Sequence, residues 1–166
     1  IKWYSNDPSV WEKNVVACWE QREGNNIKIY DAFRTQTLPE WPWINSVRYT
    51  IENAPTGFQA FPKVFTMYTN DYLEVVTYLK PEGNQKKLMA RVYKGPEFKN
   101  EFELIGASDI QEYAIASITN NIGYEKFFNL NIAYRTGQSI SYKRVEIGMN
   151  IGSNNYFANT IFTEPN

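Results

Sequence analysis

The chain has 166 residues, 43% of them hydrophobic and 21% charged, with a net charge of −1. A chain of this size buries roughly two-thirds of the surface it exposes when unfolded, so it folds without a metal or a disulfide to hold it. This balance excludes a disordered tail and the concentrated basic surface of a nucleic-acid binder, and no apolar run reaches the ~18 residues of a membrane-inserting helix.

The start, Ile1-Lys2-Trp3, carries neither an initiating Met nor an apolar signal core. The expectation is a single domain over residues 1–166, excised or processed from a larger protein. Cys18 is the sole cysteine and no asparagine begins an Asn-x-Ser/Thr sequon. Both features lean away from the secretory pathway, toward a bacterial, cytosolic or cytoplasmically assembled viral product.

Along the chain, Val15 to Arg22 and Ile27 to Arg34 flank Glu23-Gly24-Asn25-Asn26, a β-hairpin signal. A competing reading makes Pro8 to Glu23 a helix, capped by Asp7 and stopped by Gly24. The hairpin is favoured, because Val15-Val16 are β-branched and Ile27 to Phe33 needs a strand partner. Leu38 to Ile44 holds Pro39 and Pro42 and cannot be a central strand. Val47 to Ile51 suits a short strand, and Asn53 to Pro62 reads as a loop.

Lys63 to Thr69, Tyr72 to Leu79, Lys87 to Lys94 and Phe98 to Ile105 read as strands, the last with Phe98, Asn100, Phe102 and Leu104 on one face. Ser108-Asp109-Ile110-Gln111 resembles a capping box, and Ile110, Tyr113, Ala114 and Ile118 follow at helical spacing. This predicts one helix over about Asp109 to Asn120. Phe128, Leu130, Ile132 and Tyr134 then alternate with Asn129, Asn131, Ala133 and Arg135. Thr136-Gly137-Gln138 turns the chain, and Ser139 to Ile147 returns. A bulge near Lys143-Arg144 would bring Ile140, Tyr142, Val145 and Ile147 to one face. Tyr156 to Phe162 closes the chain. The expected fold is mainly β: a twisted antiparallel sheet or sandwich of about nine strands, with the helix packed on it.

There is no histidine, which removes Ser-His-Asp and Cys-His catalysis and His-ligated metals. No phosphate-binding glycine loop and no G-x-S-x-G elbow occurs, so no cofactor and no metal is expected. Cys18 lies in an apolar strand pattern and reads as a structural thiol. The surviving enzyme option is a carboxylate pair, such as Glu101 and Glu103, although acids at i, i+2 on a strand are ordinarily its wet side.

Aromatic residues reach 16% of the chain, most of them core material for strands. Pro39-Glu40-Trp41-Pro42-Trp43 stands apart: two indoles flank a proline that stiffens the segment. Trp41 and Trp43 either plug an end of the fold or form a stacking platform for sugar rings. Asn45, Arg48, Asn154 and Asn155 are candidate hydroxyl partners, or ordinary turn and strand-end residues.

Trp11, Val15-Val16 and Ile29-Tyr30-Asp31-Ala32-Phe33-Arg34-Thr35-Gln36 resemble a stretch of the rotavirus spike head, and Leu88-Met89-Ala90-Arg91-Val92-Tyr93 is similar to a strand of the same heads. The likeness covers about a quarter of the chain and rests on no invariant motif. It implies a glycan-binding attachment domain on the outer capsid, released from a parent spike protein, with a cell-surface glycan or glycoprotein as receptor. No position here matches that family's glycan-contact residues, and the expected helix falls where its better-known members have sheet, so the kinship implied is with a divergent member. Asp7-Pro8-Ser9-Val10-Trp11 followed by Val16-Ala17-Cys18-Trp19 is similar to the start of plant phloem lectins, with a shorter spacing. Both resemblances imply carbohydrate binding.

The leading expectation is therefore a non-catalytic, lectin-like attachment domain whose ligand-binding residues are Trp41, Trp43, Asn45 and Arg48. A capsid or protein-interaction module stands second and a carboxylate-dependent glycoside hydrolase third.

Overall fold

The alternating apolar runs emerge as strands in the computed structural model, which describes residues 2–4, 14–34, 44–68, 72–122, 125–150 and 155–164. Among the described residues there are twelve strands and no helix: β1 (Lys2–Tyr4), β2 (Asn14–Glu23), β3 (Asn26–Arg34), β4 (Ile44–Ile51), β5 (Lys63–Tyr68), β6 (Tyr72–Glu82), β7 (Gln85–Lys94), β8 (Glu97–Ser108), β9 (Ile110–Ile122), β10 (Glu125–Thr136), β11 (Ser139–Asn150) and β12 (Asn155–Glu164). Each successive set of four forms its own antiparallel sheet, ordered β1-β2-β3-β4, β5-β6-β7-β8 and β12-β11-β10-β9. Two-residue turns join β2 to β3, β6 to β7, β7 to β8 and β10 to β11. Gly24 and Gly137 sit at their first central positions with φ of 60°, where a residue with a Cβ would be strained.

The three sheets stack as layers, with β5–β8 in the middle. Its two faces follow from strand alternation. Val75 and Leu79 of β6, with Leu88, Ala90 and Val92 of β7, share a core with Phe128, Leu130, Ile132, Val145 and Ile147 of the last sheet. Val76, Tyr78, Met89 and Tyr93 point the other way, onto Ile27, Ile29 and Ile51 of the first. Leu73 to Leu79 is consequently buried at every position, which is why it reads as a near-continuous apolar run. The 52–62 segment straps the first two layers together. Arg22 donates to the carbonyls of Pro55 and Phe58, each at 3.0 Å, and the Ala54 amide donates to the Asn25 carbonyl at 2.7 Å.

The hairpin reading is right: β2 pairs with β3 from Val15–Arg34 to Glu23–Asn26. The helix is not. Residues 110–122 form β9, paired with β10 throughout. Glu112 pairs with Arg135 and Ile110 with Thr136, so Gln111 is a bulged extra residue. The bulge reverses parity and brings Ile110 and Tyr113, three apart, onto the same buried face. A strand thus imitates helical spacing. The single sandwich of about nine strands becomes three sheets and twelve strands among the described residues.

Two finer expectations also change. Val92 pairs with Asn100 and Tyr93 with Phe98, so Lys99 is bulged, and Phe98 turns to the opposite face from Phe102 and Leu104. The bulge expected near Lys143-Arg144 lies across the ladder: Arg144 pairs with Phe162 and Val145 with Thr160, which makes Ile161 of β12 the extra residue. β11 runs in unbroken register with β10. Val145 and Ile147 therefore face the core while Ile140 is 66% exposed on the other side.

Candidate functional site

Arg48 owes its position to a bulge. Ile29 pairs with Tyr49 and Tyr30 with Val47, leaving Arg48 as the extra residue of β4. Its side chain, 8% exposed, turns inward between the first and middle sheets. Nε lies 2.8 Å from Asp31 Oδ1 and 3.1 Å from Glu74 Oε1, and Nη2 donates to Asp31 Oδ2 at 2.9 Å. The guanidinium also sits 4.5 Å from the Tyr93 ring centroid, and the Tyr93 hydroxyl donates to the Arg48 carbonyl at 2.5 Å. Burial opposes the charge on Arg48, but the carboxylates of Glu74 and Asp31 outweigh it and hold its pKa above the ordinary value. A buried cation so engaged is an anchor between layers and has little surface left for a ligand.

A second cation–aromatic stack adjoins this cluster. The Arg91 guanidinium lies 4.4 Å from the Tyr49 ring and 4.1 Å from that of Phe98, and the Tyr78 hydroxyl donates to Glu101. Glu101 is thus a structural acceptor, while Glu103 is exposed and bridged to Lys87 at 3.1 Å. Burial pushes the Cys18 thiol far above its usual range, so it is a poor nucleophile at neutral pH. Among the described residues no group of three or more His, Cys, Asp or Glu could hold a metal.

Of the other residues singled out in the sequence, Trp41 and Trp43 lie outside the described residues, as does Asn154. Asn45 is in β4 opposite Ala32, with its side chain outside the description. Asn155 opens β12, exposed and opposite Asn150.

A different surface carries the groups expected of a binding site: the outer face of β9–β12, which no other layer covers among the described residues. Register places Ala116, Asn131, Arg144 and Phe162 side by side across its four strands. The adjacent row is Ile118, Asn129, Glu146 and Asn159. Side chains here brace one another. The Tyr142 hydroxyl donates to Asn131 Oδ1 at 2.5 Å, and Arg144 Nη2 donates to Asn129 Oδ1 at 3.2 Å. Tyr142 and Phe162 pack ring against ring with centroids 6.1 Å apart. Both asparagines spend their carbonyl oxygens on these bonds; Asn131 is half-buried, whereas Asn129 is 3% exposed and serves to brace Arg144. Further along, Phe157 lies across Gly148, where an added Cβ would sit 2.5 Å from the ring. A larger residue there would displace the ring.

Sequence reasoning saw half of this surface. Asn129, Asn131, Ala133 and Arg135 alternate with the core residues of β10 and are legible as its other side, on which Asn129 is nonetheless only 3% exposed. The partners Tyr142, Arg144 and Phe162 were missed. The two-residue turn at Gly137-Gln138 fixes the β10–β11 register and places Arg144 opposite Asn131, so counting back from it was the available signal. Phe162 had no such signal, because Ile161 shifts the β12 register.

Among the described residues no helix is long and apolar enough to cross a membrane. No family model, curated protein or solved structure matches this chain.

Proposed function

We propose that this chain is a non-catalytic, lectin-like module that binds a cell-surface glycan or glycoprotein receptor through the outer face of β9–β12. The observation that carries this reading is the mutually braced set Asn129, Asn131, Tyr142, Arg144 and Phe162. Sugars offer hydroxyls to amide and guanidinium donors and C–H faces to aromatic rings, and this face sets both kinds of partner beside each other on rigid strands. The resemblance to rotavirus spike heads supports the same reading and adds the setting: an attachment domain of a spike protein, displayed on the outer surface of a virion.

A glycan array with the intact chain tests it. Tyr142→Ala and Arg144→Ala should each weaken a hit by about tenfold, the scale of one well-placed contact. Trp41→Ala and Trp43→Ala serve as the comparison. Binding lost in those variants and kept in the first pair would move the site to the segment around residues 38–44. Binding unchanged in all four would remove both sites.

One observation favours a second reading, a capsid or protein-interaction module. Ile118, Ile140 and Phe162 on this face are 60%, 66% and 48% exposed, an apolar surface that a protein partner could cover. Light scattering separates the two: oligomers that grow with concentration, in material without a glycan hit, would favour assembly.

A further inference from the structure

We propose that β8, the outer strand of the middle sheet, docks an extended basic segment of a partner protein, one that carries an aromatic residue and lies beside β4 in the place of a fifth strand. This surface is separate from the β9–β12 face and does not depend on what binds there.

The first layer stops one strand short over the second. β3 and β4 meet the middle sheet at β6 and β7: Asp31 and Arg48 join Glu74, the Tyr93 hydroxyl donates to the Arg48 carbonyl, and the Tyr49 ring packs on Tyr78 with centroids 5.0 Å apart. β4 is the terminal strand of its sheet and β8 that of the next. Directly opposed residues of paired strands share a face. The β8 residues on the side of the first layer are therefore Phe98, opposite Tyr93, Glu101, opposite Arg91, and Glu103, opposite Met89. No strand lies on that row among the described residues. Phe98 is 45% exposed, and the side chains of Glu101 and Glu103 are 28% and 48% exposed. The other face of β8 is covered, with Leu104 buried and its carbonyl accepting from Lys143 Nζ at 2.6 Å.

The row has the spacing of a strand. Because Lys99 is bulged, Phe98, Glu101 and Glu103 are successive positions of one face, about 7 Å apart along the chain direction. An extended peptide repeats its side chains on one face at the same interval, so residues i, i+2 and i+4 of an added segment stand over the three. The Arg48 bulge interrupts the β4 edge, and bulged edges pair poorly. Side chains on the β8 row, rather than a long backbone ladder along β4, carry the recognition.

Their chemistry fixes what the segment carries. Phe98 offers a half-exposed ring, steadied by the Arg91 guanidinium 4.1 Å from its centroid, which also lies 4.4 Å from the Tyr49 ring on β4. The other two positions are carboxylates. In each ion pair of this region the acid is the more exposed partner: Glu101 against Arg91 at 16%, and Glu103 and Glu82 at 48% and 50% against Lys87 at 26%. Lys80, the remaining cation of this face among the described residues, stands two strands away on β6, 5.8 Å from the Tyr49 ring. Solvent therefore meets an aromatic ring followed by carboxylates. Its complement is an aromatic residue followed by Lys or Arg, held by exposed charges that salt screens.

Amide chemical-shift mapping on the intact chain tests the proposal. The probe is the blocked nonapeptide Lys-Thr-Lys-Thr-Phe-Thr-Lys-Thr-Lys at millimolar concentration, which reads the same in either strand direction. The expected result is saturable shifts at Phe98, Glu101, Glu103 and β4, with β10 and β11 unchanged, and weaker binding as salt is raised. The same peptide with Glu in place of Lys should leave the row unshifted. Glu103→Lys, an exposed change that leaves the core intact, should weaken the Lys peptide about two- to fivefold, the range of an exposed ion pair. The Glu peptide should bind that variant better than it binds the wild type. Three results would overturn the proposal: Lys and Glu peptides that shift the row equally; shifts of the row that grow with protein concentration alone, which make a second copy the occupant; and no saturable shift on the row.

Discussion

Against β9–β12 the middle sheet buries Phe65, Leu73, Val75, Leu79, Leu88 and Val92 on Phe128, Leu130, Ile132, Val145 and Ile147. Against β1–β4 it presents Glu74, Tyr78 and Tyr93, met by Asp31 and Arg48. The first interface is non-directional, and its strength scales with the apolar area removed from water. The second gains little net energy from its charges, because desolvation offsets the attraction. It is directional instead, since the guanidinium meets both carboxylates at only one placement of the first sheet over the second. Both interfaces bury an apolar cluster, and the second adds a charged group that fixes how the layers dock.

Changes on each side should separate these roles. The largest effect is expected from Arg48→Met, which leaves Asp31 and Glu74 buried without their cation and should cost about 3–5 kcal/mol. Urea denaturation at neutral pH measures it, and a loss below about 1 kcal/mol would show that the cluster is not an anchor. Leu130→Ala, deep in the apolar interface, should cost about 2–5 kcal/mol by the same assay.

Tyr93→Phe should cost about 1 kcal/mol, the net worth of its bond to the Arg48 carbonyl. It also carries a pH signature. Burial pushes the Tyr93 hydroxyl up to about 12, against the lowering influence of Arg91 and Arg48. A folded-state pKa above the unfolded value of about 10 means full stability below pH 10, lost as pH rises toward 12. The wild type should therefore weaken across that window, and Tyr93→Phe should weaken less steeply in alkaline melts. The smallest effect is expected on the outer face, where Ile118→Lys should shift stability by less than about 0.5 kcal/mol.

How legible was this in the sequence? Strands β5 to β8 and β10 to β12 were, because period-2 alternation and glycine turns act locally. β9 was not: the Gln111 bulge reversed its parity, and Ser108-Asp109-Ile110-Gln111 supplied a false helix start. Division into three layers was also hidden, since a strand buried on both faces and a strand in a sandwich core differ only by what packs on them. Among the candidate site residues, Arg48 resembles a surface cation in sequence. Its inward turn depends on a bulge that no local signal announces. Asn129 and Asn131 were visible as the side of β10 turned away from the core, whereas their bonds to Arg144 and Tyr142 are cross-strand and depend on register.

Amide chemical-shift mapping with a glycan taken from the array tests the central claim most directly. The account predicts saturable perturbations centred on Asn129, Asn131, Tyr142 and Arg144, with the glycan recovered unaltered. Perturbations confined to another surface, or cleavage of the glycan during the titration, would contradict it.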